Sequence, residues 1–308
     1  MAHGIMFHHF HGPRHPAGQG ALSAAQLGAL LADVQQQQHI LPAQEWLERA
    51  CAGTLHEEDR CLTFDDALLC QYEIALPVLQ QHHLSAFWFV YSSVFLGHRE
   101  MLEIYRHFRS VCFAHIDLFY QEFFQATVQQ FPACQPHLHA AQAQHYLAEF
   151  TFYSTNDRIF RFLRDEILSS EQYAHLMQIL MQQHHYDPQQ AAQQLWMQED
   201  HLLDLQQQGH VIGLHSFSHP TRLGRLSRAQ QWQEYQENFR HLSQLLGAPP
   251  RSMAHPCNSY NQDTLNILQE MGIQLGFRSN RAALPKRTPL EWPREDHIHL
   301  LPTPQPAV

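Results

Sequence analysis

Two adjacent carboxylates, Asp65 and Asp66, stand at the end of a short apolar run, Cys61-Leu62-Thr63-Phe64. A run of that length predicts a buried strand. Charges persist at the end of such a strand when they are paired or bind a metal. The run belongs to a repeating pattern. Gly4-Ile5-Met6-Phe7 reads as a first strand, and a helix follows from Ser23, with Ser23 and Gln26 forming a capping box and Leu27, Leu30, Leu31 and Val34 on one face. After Asp66 come a helical stretch over 68–81, split by Pro77, and an aromatic strand, Ala86-Phe87-Trp88-Phe89-Val90-Tyr91. Strand, helix, strand, helix, strand predicts a parallel sheet with crossover helices.

The rhythm then stops. From about 97 to 208 the chain shows helical periodicity only, with helices expected near 97–131, 139–150, 156–186 and 188–208. It resumes with Val211-Ile212-Gly213-Leu214, a helix over 227–246, a strand through Ser252-Met253-Ala254, a helix over 262–271, a strand over 273–277 and a last strand over 298–301. About seven strands in 308 residues predict one α/β domain carrying a helical insertion.

Composition narrows the function. A net charge of -10 with His neutral argues against a nucleic-acid binder. The six cysteines, Cys51, Cys61, Cys70, Cys112, Cys134 and Cys257, show no CxxC pair. With no leader evident at Met1 and no apolar stretch of bilayer length, a cytoplasmic location without a transmembrane segment is expected. Oligomeric state is not legible.

With 26 histidines, any one of them is weak evidence. His215 and His219 stand out because they follow the Val211–Leu214 strand as Asp65 and Asp66 follow theirs. Parallel α/β folds place their sites at those carboxyl ends. One carboxylate and two imidazoles, with a position left for water, make a hydrolytic metal site. Taken singly, Asp65-Asp66 also fits a helix N-cap with a first-turn acid. Arg158, Arg161 and Arg164 rise along one insertion helix and read as a solvated face balanced by Asp157, Asp165 and Glu166, or as contacts to an anionic substrate.

Together these residues resemble the polysaccharide deacetylases of carbohydrate esterase family 4, the NodB-homology group. Thr63-Phe64-Asp65-Asp66 matches the family's T-F-D-D-G with Ala67 in place of glycine, and His215-Ser216-Phe217-Ser218-His219 matches H-[ST]-x-x-H. Gly209-His210-Val211-Ile212-Gly213 is similar to the lead-in of the second motif, and Ile5-Met6-Phe7-His8 to the first strand. The resemblance spans about 4–95 and 205–301 and leaves out the helical insertion. It implies a distorted (β/α)7 NodB-like barrel and one divalent metal, zinc before cobalt, nickel or iron, held by Asp66, His215 and His219. It also implies Asp65 as general base and an N-acetylated amino sugar, nucleotide- or lipid-linked, as substrate of an N-deacetylase in surface polysaccharide or lipopolysaccharide (O-antigen) synthesis.

The third motif departs from the family. Ala254-His255-Pro256-Cys257-Asn258 replaces R-x-P-x-G, which puts Pro256, Cys257 and Asn258 at the substrate and the Cys257 backbone N–H at the oxyanion. Trp292-Pro293-Arg294 resembles a late segment whose arginine compensates, making Arg294 the candidate to orient Asp65; a surface pairing with Glu295 or Asp296 is the alternative. For the acid that protonates the leaving amine, His297 and His299 would share a face of the last strand, and His8 is a third candidate. Two other functions fit these residues: a metal-dependent amidase or esterase releasing another acyl group, and a catalytically silent carbohydrate-binding protein.

Overall fold

The computed structural model describes residues 1–148, 153–284 and 287–301. In chain order the elements are β1 (His3–Phe7), α1 (Ala24–Gln37), β2 (His39–Ile40), α2 (Ala43–Ala52), β3 (Asp59–Asp65), α3 (Leu76–Gln81) and β4 (Phe87–Val90). Six helices follow: α4 (Met101–Cys112), α5 (Ile116–Gln130), α6 (Ala141–His145), α7 (Thr155–Phe162), α8 (Ser170–Gln183) and α9 (Pro188–Leu195). The rest is α10 (Glu199–Gln207), β5 (Val211–Leu214), α11 (Arg228–Leu246), β6 (Ser252–Ala254), α12 (Gln262–Glu270), β7 (Leu275–Phe277) and β8 (Arg294–Asp296).

The chain divides into two compact units, one of residues Met1–Glu100 with Gln194–Val308, the other Met101–Gln193. The helical segment expected over 97–208 is therefore shorter as a unit, and α10 belongs with the strands. The end of the helix expected at 139–150 lies outside the described residues.

In the first unit every strand pairing is parallel, in the order β7-β6-β5-β4-β3-β1-β8, with β2 beside β3. The sheet nearly closes into a barrel. Beyond β7 the chain bridges Phe277 to Trp292, the Arg278 N–H donates to Trp292 O at 2.8 Å, and the segment continues into β8, which pairs with β1. Burial on both faces explains the apolar runs Ile5–Phe7 in β1, Cys61–Phe64 in β3 and the whole of β4. Alternation sends Cys61, Thr63 and Asp65 to one face of β3. Cys61 joins Phe87, Phe89, Ala254, Leu275, Phe277 and Trp46 in a buried cluster. Gly4 on β1 leaves the room the neighbours need: a Cβ there would lie 3.2 Å from both Arg294 Cγ and Thr63 Cγ2.

The expected strand at 298–301 is not formed. The strand runs over Arg294–Asp296, after which the Asp296 carboxylate accepts the Ile298 N–H at 3.1 Å and turns the chain into a 3₁₀ turn, His297–His299.

His210, just before β5, is buried, and its Nδ1 accepts the Ala86 N–H at 3.0 Å. Burial holds its pKa at about 4. The unfolded chain, titrating near 6.5, binds the proton that the fold excludes, so stability falls as pH drops through 6.5 and levels off below 4. The loss from this ring approaches ~3 kcal/mol. His210→Gln is expected to flatten that part of a denaturation-versus-pH curve; an unchanged slope would assign the acid sensitivity elsewhere.

Candidate active site

Asp66, His215 and His219 each present a ligand atom within 4.8 Å of the others, and all three are buried. Asp66 Oδ1 lies 3.5 Å from His215 Nε2 and 3.4 Å from His219 Nε2. That oxygen is itself buried without a hydrogen-bond donor. His215 donates its other ring N–H to Ala254 O at 2.9 Å, which turns the Nε2 lone pair toward Asp66. A buried orphan oxygen facing two imidazole nitrogens is a donor set that a divalent cation fits. Burial pushes the Asp66 carboxyl up, but His219 and His215 hold it well below the carboxylate range. For His215, burial pulls down and the Asp65 and Asp66 carboxylates reverse it, raising the ring above its ordinary value.

Asp65 is not in this triad. Arg294, fully buried, chelates it: Nη1 donates to Oδ1 and Nη2 to Oδ2, each at 2.7 Å. The guanidinium is fixed in turn by Nε donating to Arg278 O at 2.8 Å and Nη1 to Thr63 Oγ1 at 3.2 Å. Burial raises the Asp65 carboxyl, and the Arg294 charge, with His215 and His8, overrides it, leaving the carboxyl below its ordinary value. The surface pairing considered for Arg294 does not occur.

The three acid candidates separate. His8 Nε2 lies 3.8 Å from Asp65 Oδ2 and 4.0 Å from Asp66 Oδ2, on a side chain 30% exposed. His297 is buried with Nε2 3.1 Å from Gly20 O, its ring stacked on Phe7. His299 points outward and pairs with Glu295 at 2.8 Å. Because the chain turns at Asp296, these two rings do not share a face. Among the described residues, neither forms an ion pair with Asp65 or Asp66.

Pro256, Cys257 and Asn258 form a 3₁₀ turn after β6, with Cys257 at φ 49° and exposed. Asn258 and Ser259 donate their N–H groups to His255 O and Pro256 O. The Asn258 side chain accepts the Ser279 N–H at 3.1 Å.

Several supporting residues carry no motif. Buried Gln71, in a π-turn after Asp66, donates to His8 O at 2.7 Å and Asp65 O at 2.6 Å, tying the ends of β1 and β3. Asn238 of α11 accepts the His215 N–H at 3.0 Å and donates to Val90 O at 2.9 Å, tying β4 to β5. Glu234 takes the Phe217 and Ser218 N–H groups and holds the loop between the histidines.

Backbone strain gathers here: Asp66, Ala67, Ser216 and His219 all have positive φ. Ala67, at φ 52°, stands where the family motif has glycine, and the conformation explains that preference. Ala67→Gly is expected to raise the denaturation midpoint by about 1 kcal/mol equivalent, since relief of the left-handed strain outweighs the added freedom of the unfolded chain. A lowered midpoint would show that the Ala67 methyl packs more than it strains.

Residues 148–276 match the family model "Polysaccharide deacetylase", a span that takes in His215, His219 and the β6 turn and begins within the helical unit. It does not reach Asp65, Asp66 or Arg294. No curated protein sequence matches the chain. Among solved structures, the Streptococcus pyogenes deacetylase PplD is similar over 96% of this chain and 91% of that one, at 14% identity and TM-score 0.56. IcaB from Ammonifex degensii covers the same shares at 15% and 0.54. A de-N-acetylase from Aggregatibacter actinomycetemcomitans covers 95% and 93% at 12% and 0.55. At such identities these likenesses speak to fold. Residues 148–276 thus match a polysaccharide deacetylase family model, on a fold similar to that of solved deacetylases.

Proposed function

We propose that the chain is a metal-dependent N-deacetylase that releases acetate from an N-acetylated amino sugar of a surface polysaccharide or lipopolysaccharide precursor. The observation that carries this is the buried Asp66-His215-His219 group beside a second carboxylate, Asp65, that Arg294 holds in a fixed plane. A divalent metal, zinc first, held by Asp66, His215 and His219 would supply polarisation of the acetamide carbonyl and acidification of the attacking water. Asp65 takes the proton from that water as its oxygen bonds to the carbonyl carbon. Arg294 keeps the carboxylate ionised and oriented. The Cys257 backbone N–H is the donor to the carbonyl oxygen as it gains charge. His8, against Asp65 and open to solvent, hands a proton to the nitrogen as the C–N bond breaks; acetate and a free amine leave.

Elemental analysis of the purified protein beside the His215→Ala/His219→Ala variant tests the centre. Near one equivalent of transition metal is expected in the wild type and none in the variant, with acetate released from N-acetylglucosamine oligomers by the wild type alone. Metal with cleavage of other acyl groups but no acetate from N-acetyl sugars would make it a different amidase or esterase. No metal after zinc is supplied would leave a binding protein on the same fold.

A further inference from the structure

The helical unit carries a group of arginines that the hydrolytic centre does not use. Arg109 lies in the last turn of α4; Arg158 and Arg161 lie one turn apart on α7, and Arg164 follows α7 directly. The Arg109 guanidinium carbon is 5.3 Å from the Phe160 ring centroid and 5.5 Å from that of Phe119; that of Arg164 is 5.6 Å from Phe160. That of Arg161 is 4.0 Å from Tyr153. Burial lowers the Arg109 pKa, and the neighbouring charges of Arg164 and Arg161 lower it further.

Two of the nearby carboxylates are already engaged. Asp165 chelates Arg164 at 2.6 and 3.0 Å, and Asp157 accepts from the Tyr120 hydroxyl and from the Ser154 N–H and hydroxyl. Among the described residues, no carboxylate lies within ion-pair distance of Arg109, Arg158 or Arg161, and the Nε–H of each is buried without an acceptor. Each such N–H is a cost to the fold. Ring contacts offset part of it, but they use the face of the guanidinium and leave its in-plane Nε–H unmet. These Nε–H groups are open to an acceptor that lies in the plane of the guanidinium. A carboxylate offers two oxygens and one charge; a phosphate offers more of both and suits several forks at once.

We propose that Arg109 and Arg161, with Arg158 one helical turn away, form a binding site for a phosphate group within the helical unit, made of residues that the hydrolytic centre does not use. The site takes inorganic phosphate or a phosphate ester such as a nucleoside diphosphate.

Calorimetric titration of the full chain with inorganic phosphate, and with uridine diphosphate, against chloride of equal ionic strength tests it. One saturable site per chain is expected, weakened at least tenfold in Arg109→Gln/Arg161→Gln and unchanged in His215→Ala/His219→Ala. Tighter binding of the diphosphate assigns the site to an ester, and tighter binding of inorganic phosphate to the free ion; both support it. Heats no larger than chloride for both ligands, or binding lost in the histidine variant and kept in the arginine variant, would overturn it. Should the double arginine variant not fold by circular dichroism, Arg158→Lys keeps the charge but loses the fork. It is expected to weaken phosphate about threefold or more, and unaltered affinity there also overturns the site.

Discussion

Asp65→Asn is expected to lower acetate release by about 10²–10⁴-fold while the protein keeps its metal. Asp65 stands outside the Asp66-His215-His219 triad, and both its oxygens are occupied by Arg294. The amide keeps the shape but cannot take up a proton. It also turns an NH₂ toward one of the Arg294 nitrogens, so the variant is expected to lose about 1–3 kcal/mol of stability. Acetate assays at matched metal content, with thermal melts to confirm folding, separate the effects. Full activity at full metal loading would remove Asp65 from the role of base. Loss of metal together with activity would make Asp65 a ligand and redraw the centre.

The readable part of this site was written in strand ends. β3 and β5 carry apolar runs because both their faces are covered, so the polar residues that follow those runs, Asp65-Asp66 and His215, mark the carboxyl rim directly. β8 escaped because its residues are Arg, Glu and Asp, which propensity assigns to a loop. It is a strand because Arg294 is buried against Asp65, a contact between residues 229 apart in sequence. Once that strand is displaced by four residues, the alternation that joined His297 to His299 no longer applies. Gln71 and Asn238 were hidden differently. In a glutamine-rich helical chain they look like solvated surface, and their burial follows from carbonyl and amide groups that only the paired strand ends bring to them. In the helical unit, three of the four clustered arginines are visible from their spacing. What was missed was Arg109, the engagement of Asp157 by Tyr120, and the pairing of Asp165 with Arg164.

Arg294→Met carries the largest expected loss of stability. It leaves the Asp65 carboxylate buried, with its bidentate partner gone, and about 3–5 kcal/mol is expected from breaking such a pair. In the wild type Asp65 sits below its ordinary pKa, so its contribution is present at neutral pH and is lost as pH falls through the folded value. Without Arg294 the upward pull of burial dominates and the folded pKa rises above that of the unfolded chain. Between the two values the native state now binds the extra proton, so the variant loses stability as pH rises. Its deficit against wild type is therefore expected to be larger at pH 7.5 than at pH 4.5, measured by denaturant titration of metal-free protein. Equal deficits at both pH values would show that Arg294 acts through packing against Phe89 and its bond to Arg278 O rather than through the Asp65 charge. The double variant Asp65→Asn/Arg294→Met separates the same two cases. With no buried charge left unpaired, it is expected to be more stable than Arg294→Met alone. Arg294→Lys keeps the charge but cannot reach both oxygens in one plane, so it should recover much of the stability at pH 7.5 and little of the acetate release.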